Sequence, residues 1–383
     1  MIHRIQIQNF KSLRDVTVGL SPVTVFIGKS GTGKTNFANA IRFLRDCLAV
    51  GPQRAMQQNP SYRCATNSAE PVSFDVEFSV PDFIERFEYF LELDAEHAVN
   101  TPRIEWLKYG DRTIFRQIGF TKTGQGQGFH GASHWEAEPA LAPLPQPGEL
   151  ALGRLPGIEA AMIAYTALTS AIGIYSFPYD VLRSGQPKQS EQRQTGLSDH
   201  GDNALDVAEG INRDLQRVAV RKSIAAALRK INDTIISVEI DPRKPVEAMV
   251  GHRLGEKALG LKLSQESDGF RRFYVHLLAL YQLPSKQTMV FEEPENGIYP
   301  GALSLLADEF KATPDAGRGQ VLLTTHSPAL LDHFSADHIR VVELADLETQ
   351  IGTLAEEQRE SLRGELLRAG ELLTADPARR QEP

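Results

Sequence analysis

The segment Gly28-Lys29-Ser30-Gly31-Thr32-Gly33-Lys34-Thr35 satisfies the pattern G-x-x-x-x-G-K-[ST] and constrains this chain more than any other. Glycines at these spacings let a loop wrap until successive backbone N–H groups point inward, where phosphate oxygens fit. The helix that follows adds the positive end of its dipole. Lys34 supplies a point charge for the β- and γ-phosphates, and the Thr35 hydroxyl is a ligand for Mg²⁺. The flanks agree. Val23 to Ile27 is a short, nearly continuous apolar run that suits a strand buried on both faces. Phe37, Ala40, Ile41, Leu44, Cys47 and Leu48 then recur at helical spacing. Gly28, Ser30, Gly31, Gly33, Lys34, Thr35 and Asn36 are therefore the candidate nucleotide-binding residues, with ATP and Mg²⁺ as the bound species.

The rest of the chain divides by texture. Ile5, Ile7 and Phe10 share one face of an opening strand, and a second strand runs from Val16 to Leu20. From Pro71 the pattern alternates through Phe74, Val76, Phe78 and Val80 and again in parts of 86–93 and 103–118, which predicts an antiparallel sheet. Residues 121–150 and 184–203 read as polar, Gly-rich loops. Helices are expected near 158–171 and from Ala204 through Ile231, with a strand from Ile235 to Ile240. An α/β texture returns near Leu259: a helix from Phe270 to Leu283 that is apolar almost all round, a buried strand Met289–Phe291, a helix at 302–310 and a buried strand Val321–Leu323. His338 to Glu343 reads as the last strand, and 354–383 as a charged helix and tail in which Gly364 and Gly370 interrupt the leucine pattern.

This gives an α/β fold with a split nucleotide-binding lobe, a mixed sheet flanked by helices, carrying an inserted α+β subdomain. The boundaries read as 1–70 for the N-terminal half of the lobe, 71–255 for the insertion, 256–354 for the C-terminal half and 355–383 for the tail.

Three downstream sites carry further chemistry. Met289-Val290-Phe291-Glu292-Glu293-Pro294-Glu295 ends a buried strand in adjacent carboxylates. At the carboxyl edge of a parallel sheet such groups face a phosphate site, where Glu292 can hold Mg²⁺ and Glu293 can orient or deprotonate the attacking water. His326 emerges at the end of the next apolar strand and joins Glu293 and Lys34 as a candidate catalytic residue, with a satisfied strand-end histidine as the alternative account. Ser267-Asp268-Gly269 opens the long apolar helix, where a hydroxyl, a close-approach glycine and a helix dipole make an anion site; an ordinary N-cap also explains it.

Taken in order, Asn9-Phe10-Lys11-Ser12-Leu13, the phosphate loop, Ser267-Asp268-Gly269-Phe270-Arg271, and Glu293-Pro294-Glu295 followed by Thr325-His326-Ser327 resemble the ABC-type P-loop ATPases. The branch is the RecF/SMC-like one of AAA family ATPases that includes the OLD-type proteins. Leu197-Ser198-Asp199-His200-Gly201-Asp202-Asn203 in the insertion is similar to members of that branch as well. The resemblance implies an ATPase in which Ser267 and Gly269 are a signature motif that meets the γ-phosphate of a partner protomer, and His326 is a switch histidine. It implies a homodimer or higher homo-oligomer acting as an ATP-gated clamp in DNA maintenance or in bacterial and phage conflict. Too little chain follows His326 for the Toprim nuclease of OLD-type proteins, so a separate effector protein is expected, and DNA stays open as a partner. A non-hydrolysing nucleotide-gated scaffold and a RecF-like DNA repair ATPase are the alternatives. Glu292 stands where the family usually has Asp, Ser30 where it usually has Asn. The nucleotide-linking Gln has no assigned position, since Gln57 and Gln58 read as loop. Lys11 and Ser12 occupy a position that approaches the phosphates in some members.

Other residues carry less. The formal charge of −8, from 41 basic and 49 acidic residues, argues against a duplex-coating basic surface but not against a local basic groove. Cys47 and Cys64 have neither disulfide-framework nor zinc spacing, and Cys47 reads as core. Asp199, His200, Asp202 and Asp206 are explained by a polar loop running into an Asn203-capped helix, and His130 and His134 by the Gly-rich loop. Arg271 and Arg272 read as decoration of a helix face. No leader pattern and no apolar run of about 20 residues is present, so a cytoplasmic chain without a membrane partner is expected.

Overall fold

A computed structural model of the chain describes residues 1–64, 66, 70–93, 102–118, 149–182, 196–214, 217–241 and 247–381. In chain order the elements are β1 (Ile2–Phe10), β2 (Leu13–Gly19), β3 (Val23–Ile27), α1 (Lys34–Val50), α2 (Pro52–Gln58), β4 (Val72–Phe78), β5 (Phe87–Leu93), β6 (Pro102–Tyr109) and β7 (Arg112–Ile118). They continue with α3 (Glu159–Leu168), β8 (Ile172–Tyr175), α4 (Ala204–Arg213), α5 (Val218–Ile231), β9 (Ile235–Asp241), β10 (Glu247–Leu254), β11 (Lys257–Lys262) and α6 (Asp268–Tyr281). The last are β12 (Thr288–Glu292), α7 (Leu303–Asp315), β13 (Gln320–Thr324), α8 (Pro328–Leu331), β14 (Ile339–Ala345), β15 (Glu348–Thr353) and α9 (Glu356–Arg363). Two compact units result: Met1–Ile172 with Ile339–Arg359 and Ala378–Pro383, and Gly173–His338 with Glu360–Pro377. The expected helix near 158–171 is α3, and the loops expected at 121–150 and 184–203, with His130 and His134, fall largely outside the described residues.

In the first unit an antiparallel sheet runs in the order β2-β1-β4-β5-β6-β7. Its period-2 alternation buries Ile5, Ile7 and Phe10 from β1 and Phe74, Val76 and Phe78 from β4. β4 pairs with β1 as well as with β5, so this sheet takes in the opening strands together with those after Pro71. β3, buried along its whole length, pairs in parallel with β14, and β14 pairs antiparallel with β15. Helix α1 buries Phe37, Ala40, Ile41, Leu44, Cys47 and Leu48, each large side chain contributing about 1.5–3 kcal/mol. Burial pushes the Cys47 thiol well above its usual range, so it is inert core.

One buried carboxylate ties this unit together. Glu105 on β6 accepts the Tyr89 hydroxyl at 2.9 Å and the backbone N–H groups of Ala151 and Leu152 at 2.6 and 3.0 Å. Loss of water outweighs these donors and pushes its pKa up to about 7.

In the second unit β12 and β13 are parallel neighbours with β8 beside β12, and α7 packs on β13. Helix α6 is buried at every position from Phe270 to Leu280, which matches its all-round apolar sequence. That burial includes His276, whose pKa falls to about 3, so the ring is neutral. It includes Arg271 and Arg272 too, which correct their reading as surface decoration. Arg271 Nη1 donates to the carbonyls of Ser264 and Glu266 at 3.0 and 2.8 Å, and the Arg272 guanidinium lies 4.9 Å from the Tyr179 ring centroid.

Other differences have local causes. The texture near Leu259 is a strand, β11, the exposed edge of the antiparallel sheet β11-β10-β9. β14 is followed by one more strand, β15, whose sequence Glu-Thr-Gln-Ile-Gly-Thr has a single large apolar residue. The tail is not one helix: α9 ends at Arg363, Glu365 takes φ 56°, and a short 3-10 turn at Ala369–Leu373 follows. Gln57 and Gln58 belong to the last turn of α2 rather than to a loop. Asn203 precedes α4 without capping it; its side chain accepts from Ser198 N and donates to Gly196 O, bracing the loop instead.

Candidate functional site

The phosphate loop lies in the first unit between β3 and α1. Gly28, Gly31 and Gly33 take φ of 155°, 80° and 106°, conformations that disfavour any residue with a Cβ. The Lys34 ammonium is seated in the loop, donating to the carbonyls of Gly28 and Lys29 at 2.8 and 2.9 Å. Lys34 is buried, while Lys29, Ser30, Gly31 and Thr35 are exposed, so the loop's outer rim and the Thr35 hydroxyl are open to a ligand. Asn36 turns inward, its amide donating to Ser12 Oγ at 2.8 Å. Ser12 Oγ in turn sits 2.6 Å from Thr349 Oγ1, and Lys11 beside it takes φ 50°. The sequence pointed to Lys11 and Ser12 but gave no sign of Thr349, which is 337 residues away from Ser12.

In the second unit the parallel pairing of β12 and β13 brings two strand ends together. Glu292 is the last residue of β12, paired in register with Thr324. Glu293 follows at φ 45°, a strained conformation for a residue with a side chain, held by its N–H bonding to Thr324 O at 3.1 Å and Oγ1 at 3.2 Å. Asn296 donates to Glu293 Oε2 at 2.8 Å, and His326 Nε2 stands 3.8 Å from Glu293 Oε1. The side chains of Glu293 and His326 are 43% and 35% exposed, so both reach solvent. Glu295, quoted in the sequence motif without a role, organises the pair. Its Oε1 accepts from Thr325 Oγ1 and from the His326 N–H, both at 2.8 Å, and its Oε2 is buried with no hydrogen-bond partner among the described residues. An acidic residue at that spacing was visible; the backbone N–H it accepts was not.

Ser267 and Gly269 stand at the start of α6 in the same unit. Ser267 Oγ accepts from Phe270 N at 3.3 Å, so the N-cap is real and its hydroxyl is exposed. A Cβ on Gly269 would lie 3.0 Å from the Gly297 carbonyl, so this helix start packs closely on the turn after Glu293. An open cavity of about 490 Å³ adjoins it, lined by Lys230, Asn232, Ser267, Gly269 and Tyr299.

Among the described residues no group of three or more His, Cys, Asp or Glu could cage a metal. Asp199, His200, Asp202 and Asp206 accordingly form no such group, and His200 Nδ1 is hydrogen-bonded to Ser176 O. Thr35 in the first unit presents an exposed hydroxyl, and Glu292 in the second presents a carboxylate at the end of β12. Each is an oxygen donor of the kind Mg²⁺ takes, since that ion is held by one or two protein oxygens plus phosphates and keeps its waters. Among the described residues no helix is long and apolar enough to cross a membrane.

Residues 23–332 match the protein family described as "AAA domain, putative AbiEii toxin, Type IV TA system". The chain belongs to this family. The AAA-domain chain is also 23% identical, over 369 residues, to an OLD nuclease from Thermus scotoductus. The aligned region is 89% of this chain and 62% of that nuclease, so the chain spans less than two thirds of its relative. Among solved structures it is similar to an Smc head bound to the C-winged helix domain of ScpA, with TM-score 0.57 and 15% identity over 93% of this chain and 99% of that one. It is similar too to an Smc head with an extended coiled coil bound to the C-terminal domain of ScpA, from Pyrococcus furiosus, with TM-score 0.54 and 13% identity over 95% and 99%. The fold is thus that of the Smc head domains, and the family match and these likenesses agree with the resemblance drawn from the motifs.

Proposed function

We propose that this AAA-domain protein hydrolyses Mg-ATP and works as a nucleotide-gated clamp between two copies of itself. The observation that carries the reading is the Glu293–His326 pair at adjacent strand ends, held open to solvent by Asn296 and Glu295. In this reading the loop N–H groups and Lys34 bind the β- and γ-phosphates. Thr35 and Glu292 would hold Mg²⁺, which when bound neutralises charge on the phosphate oxygens. Glu293 Oε1 accepts a proton from the attacking water, and His326 Nε2 donates to the γ-phosphate. Ser267 and Gly269 of a second copy close on the same γ-phosphate through the α6 N-terminus, and its loss on hydrolysis releases the clamp.

The likeness to Smc heads solved with a piece of ScpA supports a head that engages a separate protein. The likeness to a longer OLD nuclease supports a role in DNA maintenance or in conflict between bacteria and phage, with an effector supplied by another chain. The test is ATP binding and turnover of wild type, Lys34→Ala and Glu293→Gln. Lys34→Ala should lose binding. Glu293→Gln should bind as wild type does while turnover drops by about a hundredfold or more. Negligible turnover in wild type and variant alike would make a non-hydrolysing scaffold the better account, and full turnover in Glu293→Gln would point to an unrelated base.

A further inference from the structure

The phosphate loop is fastened by a one-way hydrogen-bond chain whose two linking hydroxyls, Ser12 and Thr349, lie outside the region matched to the family. Thr349 Oγ1 donates to the carbonyl of Thr32 at 2.8 Å, which uses its one proton. Toward Ser12 Oγ, 2.6 Å away, it must therefore accept, so the Ser12 hydroxyl donates to it. Ser12 Oγ accepts in its turn from Asn36 Nδ2 at 2.8 Å. The chain runs Asn36 to Ser12 to Thr349 to Thr32 with every proton assigned. Backbone pairing locks the two hydroxyl-bearing inner members together, since Thr349 N–H donates to Ser12 O at 2.7 Å. Thr349 is 2% exposed, so its hydroxyl has no water to fall back on.

The consequence lies in the peptide between Thr32 and Gly33. A trans peptide is planar, with its C=O and N–H pointing in opposite directions. Holding the Thr32 carbonyl on Thr349 therefore aims the Gly33 N–H away from Thr349. The same contact fixes Gly33 itself: a Cβ there would collide with Thr349 Oγ1 and lie 3.0 Å from Ser12 Oγ. Family membership is defined over residues 23–332, and Ser12 and Thr349 lie on either side of that span.

We propose that Thr349 and Ser12 are positioning residues for nucleotide binding: through the Thr32 carbonyl they set the loop's N–H groups for the phosphates before a nucleotide arrives. The proposal rests on the phosphate-loop reading above. A positioning role differs from a merely structural one in two respects. Its effect falls on nucleotide affinity, and it depends on the hydroxyl rather than on the side chain's volume.

The experiment measures dissociation constants for ADP and for a non-hydrolysable ATP analogue, on the full chain, in wild type, Thr349→Val, Thr349→Ser, Ser12→Ala and Lys34→Ala, with thermal midpoints alongside. Thr349→Val keeps shape and loses the hydroxyl; affinity should fall by about tenfold for both nucleotides. Thr349→Ser keeps the donor and should stay within about threefold of wild type. Ser12→Ala, at a half-buried position, should fall between them, and it carries the test if Thr349→Val does not fold. Unchanged affinity in Thr349→Val, or equal losses in Thr349→Val and Thr349→Ser, would overturn the proposal while Lys34→Ala still loses binding. A wild type that binds neither nucleotide would overturn the phosphate-loop reading, and this inference with it.

Discussion

In the first unit the phosphate loop is shaped through its backbone: three glycines at positive φ, a carbonyl pinned by Thr349, and a lysine held on carbonyls of the loop itself. In the second, the turn after β12 is shaped through carboxylates: Glu295 holds the His326 N–H, and Asn296 holds Glu293. A backbone cradle recognises what every triphosphate shares, and it stays fixed while the ligand comes and goes. A carboxylate turn keeps one oxygen free to change its proton or its partner. The first arrangement suits binding and the second suits chemistry, so damage to each should show in a different measurement.

Glycine replacements sharpen this contrast most. Gly33→Ala places a Cβ at φ 106° against the Thr349 hydroxyl, which is itself buried and paired. Backbone strain alone costs about 1–3 kcal/mol, so nucleotide affinity should fall by about a hundredfold. Gly297→Ala, at φ 72° in the second unit, meets only the Tyr179 and Arg272 side chains at 3.1 and 3.2 Å, which can shift. Its affinity should stay within about threefold of wild type at a stability cost of about 1–2 kcal/mol. Equal binding losses in the two variants would break the comparison.

A further expected effect concerns stability and belongs to the first unit alone. Glu105 titrates near 7 in the fold against 4.5 when free, because burial disfavours its charge. The folded state therefore keeps a proton that the unfolded chain has released. The stabilisation is fullest below about 4.5 and is lost as pH rises through about 7, a difference of roughly 2–3 kcal/mol between pH 5 and 8. Glu105→Gln should flatten that part of the urea-midpoint profile; the wild-type slope surviving in the variant would contradict it.

Much of this was legible because the signals were contiguous. The loop Gly28–Thr35 states its backbone geometry in its glycines, and α1 and α6 state their burial in apolar residues at helical spacing. β12 and β13 read as buried strands because their central residues, Met289–Phe291 and Val321–Leu323, are all Met, Val, Phe or Leu. What failed was partnership across distance and burial of charge. Thr349 sits in a polar strand beyond what read as the last one, and its role exists only through Ser12 and Gly33. Arg271 and Arg272 looked like surface because guanidinium groups usually are; here carbonyls from the turn before α6 and the face of Tyr179 replace water.

The measurement closest to the central claim is the solution mass of Glu293→Gln with ATP and with ADP. Binding that survives while hydrolysis stops should leave two copies closed on nucleotide, so the account expects mass to double with ATP and to return to one chain with ADP. A mass that ignores ATP, at concentrations where binding is complete, would contradict it.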